Sequence, residues 1–196
     1  MNGKPLVVGI GGTLRADSSS ECALRLALAA ARQCGTEVLQ LSGADLDLPL
    51  YSPNEAARSA SARKLIAALR EASGVIIASP SYHGGISGLV KNALDYVEDL
   101  RTGERPYLDG MPVGLISCGG GWQGAASALS NLRAIVHALR GWPTPLGGVI
   151  NTSQKIFDQQ GRCLDEGAAA QLATVGRQVA QQVLLAHERH MTAMSA

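Results

Sequence analysis

Gly74-Val75-Ile76-Ile77-Ala78-Ser79 is the run of sequence on which the fold turns. It is short, almost wholly apolar, rich in β-branched residues and ended by Pro80. An amphipathic strand would alternate polar and apolar residues; one that does not must be covered on both faces, as the central strand of a parallel sheet is. Two more runs of the same kind lie on either side of it in the chain. Leu6-Val7-Val8-Gly9-Ile10 opens the sequence, and Pro112-Val113-Gly114-Leu115-Ile116-Ser117 follows a charged turn at residues 101–106. A brief β-like segment at residues 37–41 and a fifth at 145–150 complete a set of five.

The segments between them have helical spacing. Residues 20–33 are rich in Ala and Leu and start at a serine cluster that suits capping; Gly35 stops them. Residues 58–72 place Leu65, Ile66 and Leu69 on one face. Residues 88–98 follow, and residues 125–140 carry Leu129, Leu132, Ile135, Val136 and Leu139 as one stripe. A last helix is expected over 168–187, after a polar excursion at 151–166. Residues 42–57, with two prolines, read as a surface loop. Five strands alternating with five helices specify a parallel α/β sheet with right-handed crossovers. Of the two doubly-wound strand orders, a count of five favours the flavodoxin type. The expected fold is thus a flavodoxin-like three-layer sandwich with sheet order 2-1-3-4-5, in one domain spanning residues 1–196.

Bulk properties narrow the function. The 196 residues are 46% hydrophobic and 17% charged, enough for a packed core. With 17 basic and 16 acidic side chains the formal charge is +1, which gives no surplus for neutralising a nucleic-acid backbone. Cys22, Cys34, Cys118 and Cys163 form no CxxC pair and have no histidine at ligand spacing, so neither a zinc site nor a disulfide framework is expected. The first apolar run is too short for a signal peptide or a membrane span. A cytoplasmic protein without membrane or nucleic-acid partners is the expectation.

In a doubly-wound sheet ligands sit beyond the C-terminal strand ends near the switch point, which directs attention to the loops after strands 1, 3 and 4. The first reads Gly11-Gly12-Thr13-Leu14-Arg15-Ala16-Asp17-Ser18-Ser19-Ser20. Its glycines let the backbone approach a ligand, and the hydroxyls of Thr13, Ser18 and Ser20 can donate to phosphate oxygens alongside the free N–H groups of the helix start. Arg15 is placed to close over the phosphate, whereas Asp17 must point away. With no P-loop lysine and no GxGxxG fingerprint, the loop suits a monophosphate ester. The second, Ser79-Pro80-Ser81-Tyr82-His83-Gly84-Gly85, supplies amides and an aromatic face for a flat ring, with Tyr82 and His83 as contacts. Lys91 and Asp95 behind it stand at i, i+4 spacing and, with Asn92, read as helix-surface or subunit-contact residues. The third, Ser117-Cys118-Gly119-Gly120-Gly121-Trp122, has three consecutive glycines that imply close approach of a ligand to the main chain. Trp122 shields a ring or lines a substrate slot, Cys118 reads as a buried inert thiol, and Trp142 as core or interface.

These loops resemble the NADPH-dependent FMN reductase family, flavodoxin-like proteins that include quinone, azo-dye and chromate reductases. The family's first motif, GS-x-R-x-x-S-x-[NS], is matched by residues 12–20 with Thr13 in the serine's place. Its second, SP-x-Y followed by G-x-[LV]-KNA-[LI]-D, is matched by Ser79, Pro80, Tyr82, Gly88, Val90, Lys91, Asn92, Ala93, Leu94 and Asp95. The resemblance implies FMN, with Thr13, Arg15, Ser18, Ser19 and Ser20 at its phosphate. It implies Pro80, Ser81, Tyr82, His83 and Gly84 at the isoalloxazine, and Ser117, Gly119, Gly120 and Gly121 along the far edge. It further implies NADPH or NADH as hydride donor, a small-molecule electron acceptor, no metal, no side chain acting as general base, and a homodimer or homotetramer. A non-enzymatic electron carrier or a flavin-free regulatory protein on the same fold is the alternative; the near-neutral charge speaks against the first and the hydroxyl loop against the second.

Overall fold

The computed structural model describes residues 3–55 and 57–194. In chain order its elements are β1 (Leu6–Gly11), α1 (Ser19–Gln33), β2 (Glu37–Leu41), α2 (Ala60–Glu71), β3 (Gly74–Tyr82), β4 (Gly85–Ile86), α3 (Gly88–Asp95), β5 (Pro112–Gly119), α4 (Trp122–Ala138), β6 (Trp142–Pro143), β7 (Gly148–Asn151) and α5 (Glu166–Met194). The sheet runs β2-β1-β3-β5, with β6 and β7 both parallel to the outer side of β5. Counting β6 and β7 as one interrupted edge strand, this is the flavodoxin order expected from the sequence.

The register fixes where a ligand can lie. Gly11 pairs with Ala78, and Pro80 with Cys118, so β1, β3 and β5 end at one level on one edge of the sheet. Along each strand successive side chains point to opposite faces. Val7, Ile76 and Ile116 therefore pack with α1 and α5, while Val8, Ile77 and Leu115 pack with α2, α3 and α4. Val8, Ile76, Ile77 and Ile116 are fully buried, each contributing on the order of 1.5–3 kcal/mol from removal of apolar surface. The close contact of α1 with α5 depends on a glycine: a Cβ on Gly176 would collide with the main-chain carbonyl of Ala27.

Several boundaries differ from the sequence reading for identifiable reasons. β3 continues past Ser79 to Tyr82 and turns back through His83-Gly84 into β4. Both turn residues have positive φ, 53° and 79°, the requirement of a two-residue type I′ hairpin. The expected strand at 145–150 begins only at Gly148, with the separate two-residue β6 before it, because Pro145 has no N–H to give a ladder and the N–H of Leu146 bonds instead to Gln178 Oε1 at 3.0 Å. α4 starts at Trp122, three residues early. α5 runs to Met194, since no glycine or proline interrupts it after residue 187. The 42–57 loop contains a 3-10 turn at Gly43–Leu46 that buries Leu46, and residues 96–100 form another after α3.

Candidate active site

α1 begins at Ser18, whose Oγ accepts from the N–H of Glu21, and the helix ladder starts with the Cys22 N–H bonding to the Ser18 carbonyl. The N–H groups of Ser19 and Ser20 therefore have no partner within the helix, as at any helix start. They face the strand ends across a cleft of about 180 Å³. Thr13, Arg15, Ser18, Ser19 and Ser20 form one wall, and Pro80, Ser81, Tyr82, Gly119 and Gly120 the other. Ten of the fourteen residues expected from the sequence are thus brought together.

The hydroxyls differ in how firmly they are held. Thr13 Oγ1 donates to the Arg15 carbonyl at 3.1 Å and accepts from the Arg15 N–H at 3.2 Å, a local turn that shapes the loop. Ser18 Oγ lies 3.4 Å from both the Glu21 nitrogen and Ser20 Oγ, long for hydrogen bonds whose usual lengths are about 2.7–3.0 Å. Ser18 and Ser20 are buried yet weakly engaged. The charges are sorted as well. Asp17 turns out of the cleft to accept from Arg25 at 2.7 Å, and this bond raises the Arg25 pKa above its ordinary value. Glu21 accepts from the Asp17 N–H and the Ser42 hydroxyl. No carboxylate lines the cleft, and its one charged lining residue is Arg15.

On the opposite wall Ser81 Oγ donates to the Gly124 carbonyl at 2.8 Å, and Ser127 Oγ donates to the Gly84 carbonyl at 2.7 Å, so the β3–β4 hairpin is fastened to α4. Tyr82 is exposed at the cleft mouth. A Cβ on Gly120 would meet nothing within 4 Å, so a side chain there would project into open space that the glycine leaves to a ligand. Weakly bonded hydroxyls, free helix-start N–H groups, a cation without a neighbouring acid and a side-chain-free far wall fit a phosphorylated flat ring such as FMN.

Four expected residues stand elsewhere. Ser117 is not at the cleft: it shares the face of Val113 and Leu115, is fully buried, and its Oγ has no partner. His83 and Gly84 make the hairpin tip, and His83 projects into solvent. Gly121 caps α4. In their place the cleft has Cys118, whose thiol burial pushes up to about 12, and Thr152, whose N–H bonds to the Gly119 carbonyl at 2.7 Å. Thr152 follows the last strand end directly, a position the strand-end rule could have flagged. Asn92, read as a surface or contact residue, is a clamp: its amide donates to the Leu48 and Pro49 carbonyls and accepts from the Tyr51 N–H, holding the 42–57 loop. Among the described residues no cluster of three or more His, Cys, Asp or Glu could hold a metal ion.

The family model for NADPH-dependent FMN reductase matches residues 5–155. The chain belongs to that family. An NAD(P)H-dependent FMN reductase of Pseudomonas aeruginosa is 31% identical over 83% of this chain and 86% of its own length. A quinone reductase of Escherichia coli K12 is 33% identical over 62% of this chain and 65% of its own length. Among solved structures, FerB, the NAD(P)H:acceptor oxidoreductase of Paracoccus denitrificans, superposes with a TM-score of 0.72 at 22% identity, covering 91% of this chain and 97% of that one. As a member of the NADPH-dependent FMN reductase family, the protein is a flavin-dependent NAD(P)H oxidoreductase.

Proposed function

We propose that the cleft at the ends of β1, β3 and β5 binds FMN and that the whole chain, residues 1–196, works as one reductase unit delivering electrons to a small neutral acceptor of the quinone type. The observation that carries this reading is the wall of buried, weakly bonded Ser18 and Ser20, the free N–H groups of α1 and the guanidinium of Arg15, which has no ion-pair partner among the described residues, with Asp17 drawn off by Arg25. A dianion there gains charge-assisted hydrogen bonds and the field of the helix start.

In this reading Ser18, Ser19, Ser20 and Arg15 hold the phosphate, and Thr13 keeps the loop in shape. Pro80, Ser81 and Tyr82 border the ring on one side; Gly119 and Gly120 lie along the other and offer only main chain. FMN held there would supply the redox chemistry, accepting hydride from a nicotinamide and giving electrons to the acceptor. The chain orients the partners and supplies hydrogen bonds to the ring. No side chain serves as general base. The buried thiol of Cys118 stays protonated under the cleft floor and takes no part. The quinone reductase relative supports the acceptor class. Among the described residues no helix is long and apolar enough to cross a membrane. Assembly into a homodimer or homotetramer in the cytoplasm belongs to this proposal.

The test is direct. Purified protein titrated with FMN should bind it stoichiometrically, and addition of NADH or NADPH without oxygen should bleach the flavin band, which a quinone then restores. Protein that leaves FMN free in solution would end the reading.

A further inference from the structure

A second cavity, of about 330 Å³, opens on the other side of the glycine wall, between the first turns of α4 and α5 and the end of β7. Gly120 lines the first cleft and Trp122 the second; Thr152 lines the first and Asn151 the second. The two cavities are thus separated by a wall about one residue thick. Trp122 is 64% exposed at the mouth, above a floor that includes Ile150, Ile156 and Ala168.

The polar groups of this second cavity form a particular set. Gln171 Oε1 accepts from the Val149 N–H at 3.3 Å and Asn151 Oδ1 from the Ser153 N–H at 3.0 Å. These bonds fix the orientation of both carboxamides and leave both NH₂ groups without an acceptor among the described residues. Gln154 has neither its oxygen nor its nitrogen engaged. No cation lines the cavity, and its one charged side chain, Asp165, accepts from the Ala168 N–H at 2.6 Å through Oδ1. A neutral, flat ligand rich in hydrogen-bond acceptors, with a face to stack on an indole, is what this set can hold.

On the reading that the first cleft holds FMN, the hydride donor must place its nicotinamide there, and its other half needs a site within reach that takes no part in the chemistry. We propose that the second cavity binds the adenine of the nicotinamide dinucleotide, stacked on Trp122 and read by the carboxamides of Gln154, Gln171 and Asn151. Adenine offers ring nitrogens as acceptors beside one amino donor, and the pairing of a Gln or Asn carboxamide with its N6 and N7 is a well-established geometry. Gln154, free at both ends, can make that bidentate contact. Such a site lets binding energy from the non-reacting half orient the reacting half.

The experiment separates this inference from the reductase reading. Flavin-free protein carrying Trp142→Phe, which leaves Trp122 as the only tryptophan, is titrated with 5′-AMP; a saturable change in Trp122 fluorescence is expected, lost on Gln154→Ala. In the FMN-loaded enzyme, Trp122→Ala should raise KM for the dinucleotide about tenfold, as loss of one base–aromatic stack does. KM for reduced nicotinamide mononucleotide, which lacks adenosine, should stay unchanged. The inference is overturned if AMP leaves the fluorescence unaltered, or if KM for the two donors rises in the same proportion. Failure to bind FMN would count against the reductase reading and is measured separately from the AMP titration.

Discussion

Replacing Ser20 by alanine separates the stability of α1 from its role at the cleft. Ser20 lies in the first turn of the helix, buried, with its Oγ 3.4 Å from Ser18 Oγ and no closer partner. A contact that long contributes little, and alanine is the better helix former by about 0.5 kcal/mol. The flavin-free variant should therefore unfold at the same temperature as the parent or slightly above it. Its affinity for FMN should fall, because a hydrogen bond to a charged group contributes about 1.5–3 kcal/mol. That corresponds to a rise in Kd of about 12- to 150-fold. Riboflavin, which lacks the phosphate, should bind the variant and the parent equally. Thermal melts of flavin-free protein and fluorescence titrations with both flavins measure all three quantities. An FMN affinity within twofold of the parent would refute the reasoning. So would a loss of more than about 1 kcal/mol in flavin-free stability, which would make the hydroxyl a structural group.

Further outcomes follow from other parts of the structure. Gly176→Ala should destabilise the protein by about 1–3 kcal/mol in urea melts, although alanine favours helices by about 1 kcal/mol, because its Cβ meets the Ala27 carbonyl. Asn92→Ala removes three hydrogen bonds to residues 48–51 and should speed amide exchange at Tyr51 while the strands stay protected. The Cys118 thiol, neutral in the fold up to about pH 12 against 9.0 for an ordinary cysteine, should resist alkylation at pH 8 in the native state. Because the folded pKa is the raised one, its contribution to stability is fully present below about pH 9 and declines between about 9 and 12; Cys118→Ser should flatten that decline. Ser117→Ala should leave FMN affinity unchanged and stability equal or higher, since it removes a buried hydroxyl without a partner.

The sheet was readable from sequence because its central strands are covered on both faces, so Gly74–Ser79 and Val113–Ile116 could be nothing polar. The strand order followed from the count and from the chirality of crossovers. The place of residues 13–20 at the cleft is readable too, since they must follow β1 and a helix start must point its N–H groups at whatever lies beyond the strand ends. The structure places His83 at a hairpin tip, for a reason that composition hides. Tyr82-His83-Gly84-Gly85 has the polarity of a ligand loop, but positive φ at two successive residues makes it a hairpin tip, and a hairpin tip points away from the sheet edge. Asn92 was misread because its partners are carbonyls and an amide some forty residues earlier, which no local spacing reveals.

Ser117 and Cys118 show where the limit of such reading lies. A strand repeats every two residues, so displacing the register by one exchanges the faces of every side chain. Polarity nominates Ser117 as the ligand contact and Cys118 as core; Ser117, paired with Ser79, lies buried short of the cleft, while Cys118, paired with Pro80, is core and also floors the cleft. Ser117 continues the inward line of Val113 and Leu115, while Cys118 and Gly119 are the residues that reach the cleft. Among neighbouring residues at a strand end, closeness to that end therefore outranks polarity in deciding which one meets a ligand. The comparison of Ser117→Ala with Ser20→Ala puts that ranking to a test: two buried serine hydroxyls, one inside the sheet and one at the helix start beside the cleft, should differ by at least tenfold in what their loss does to FMN binding.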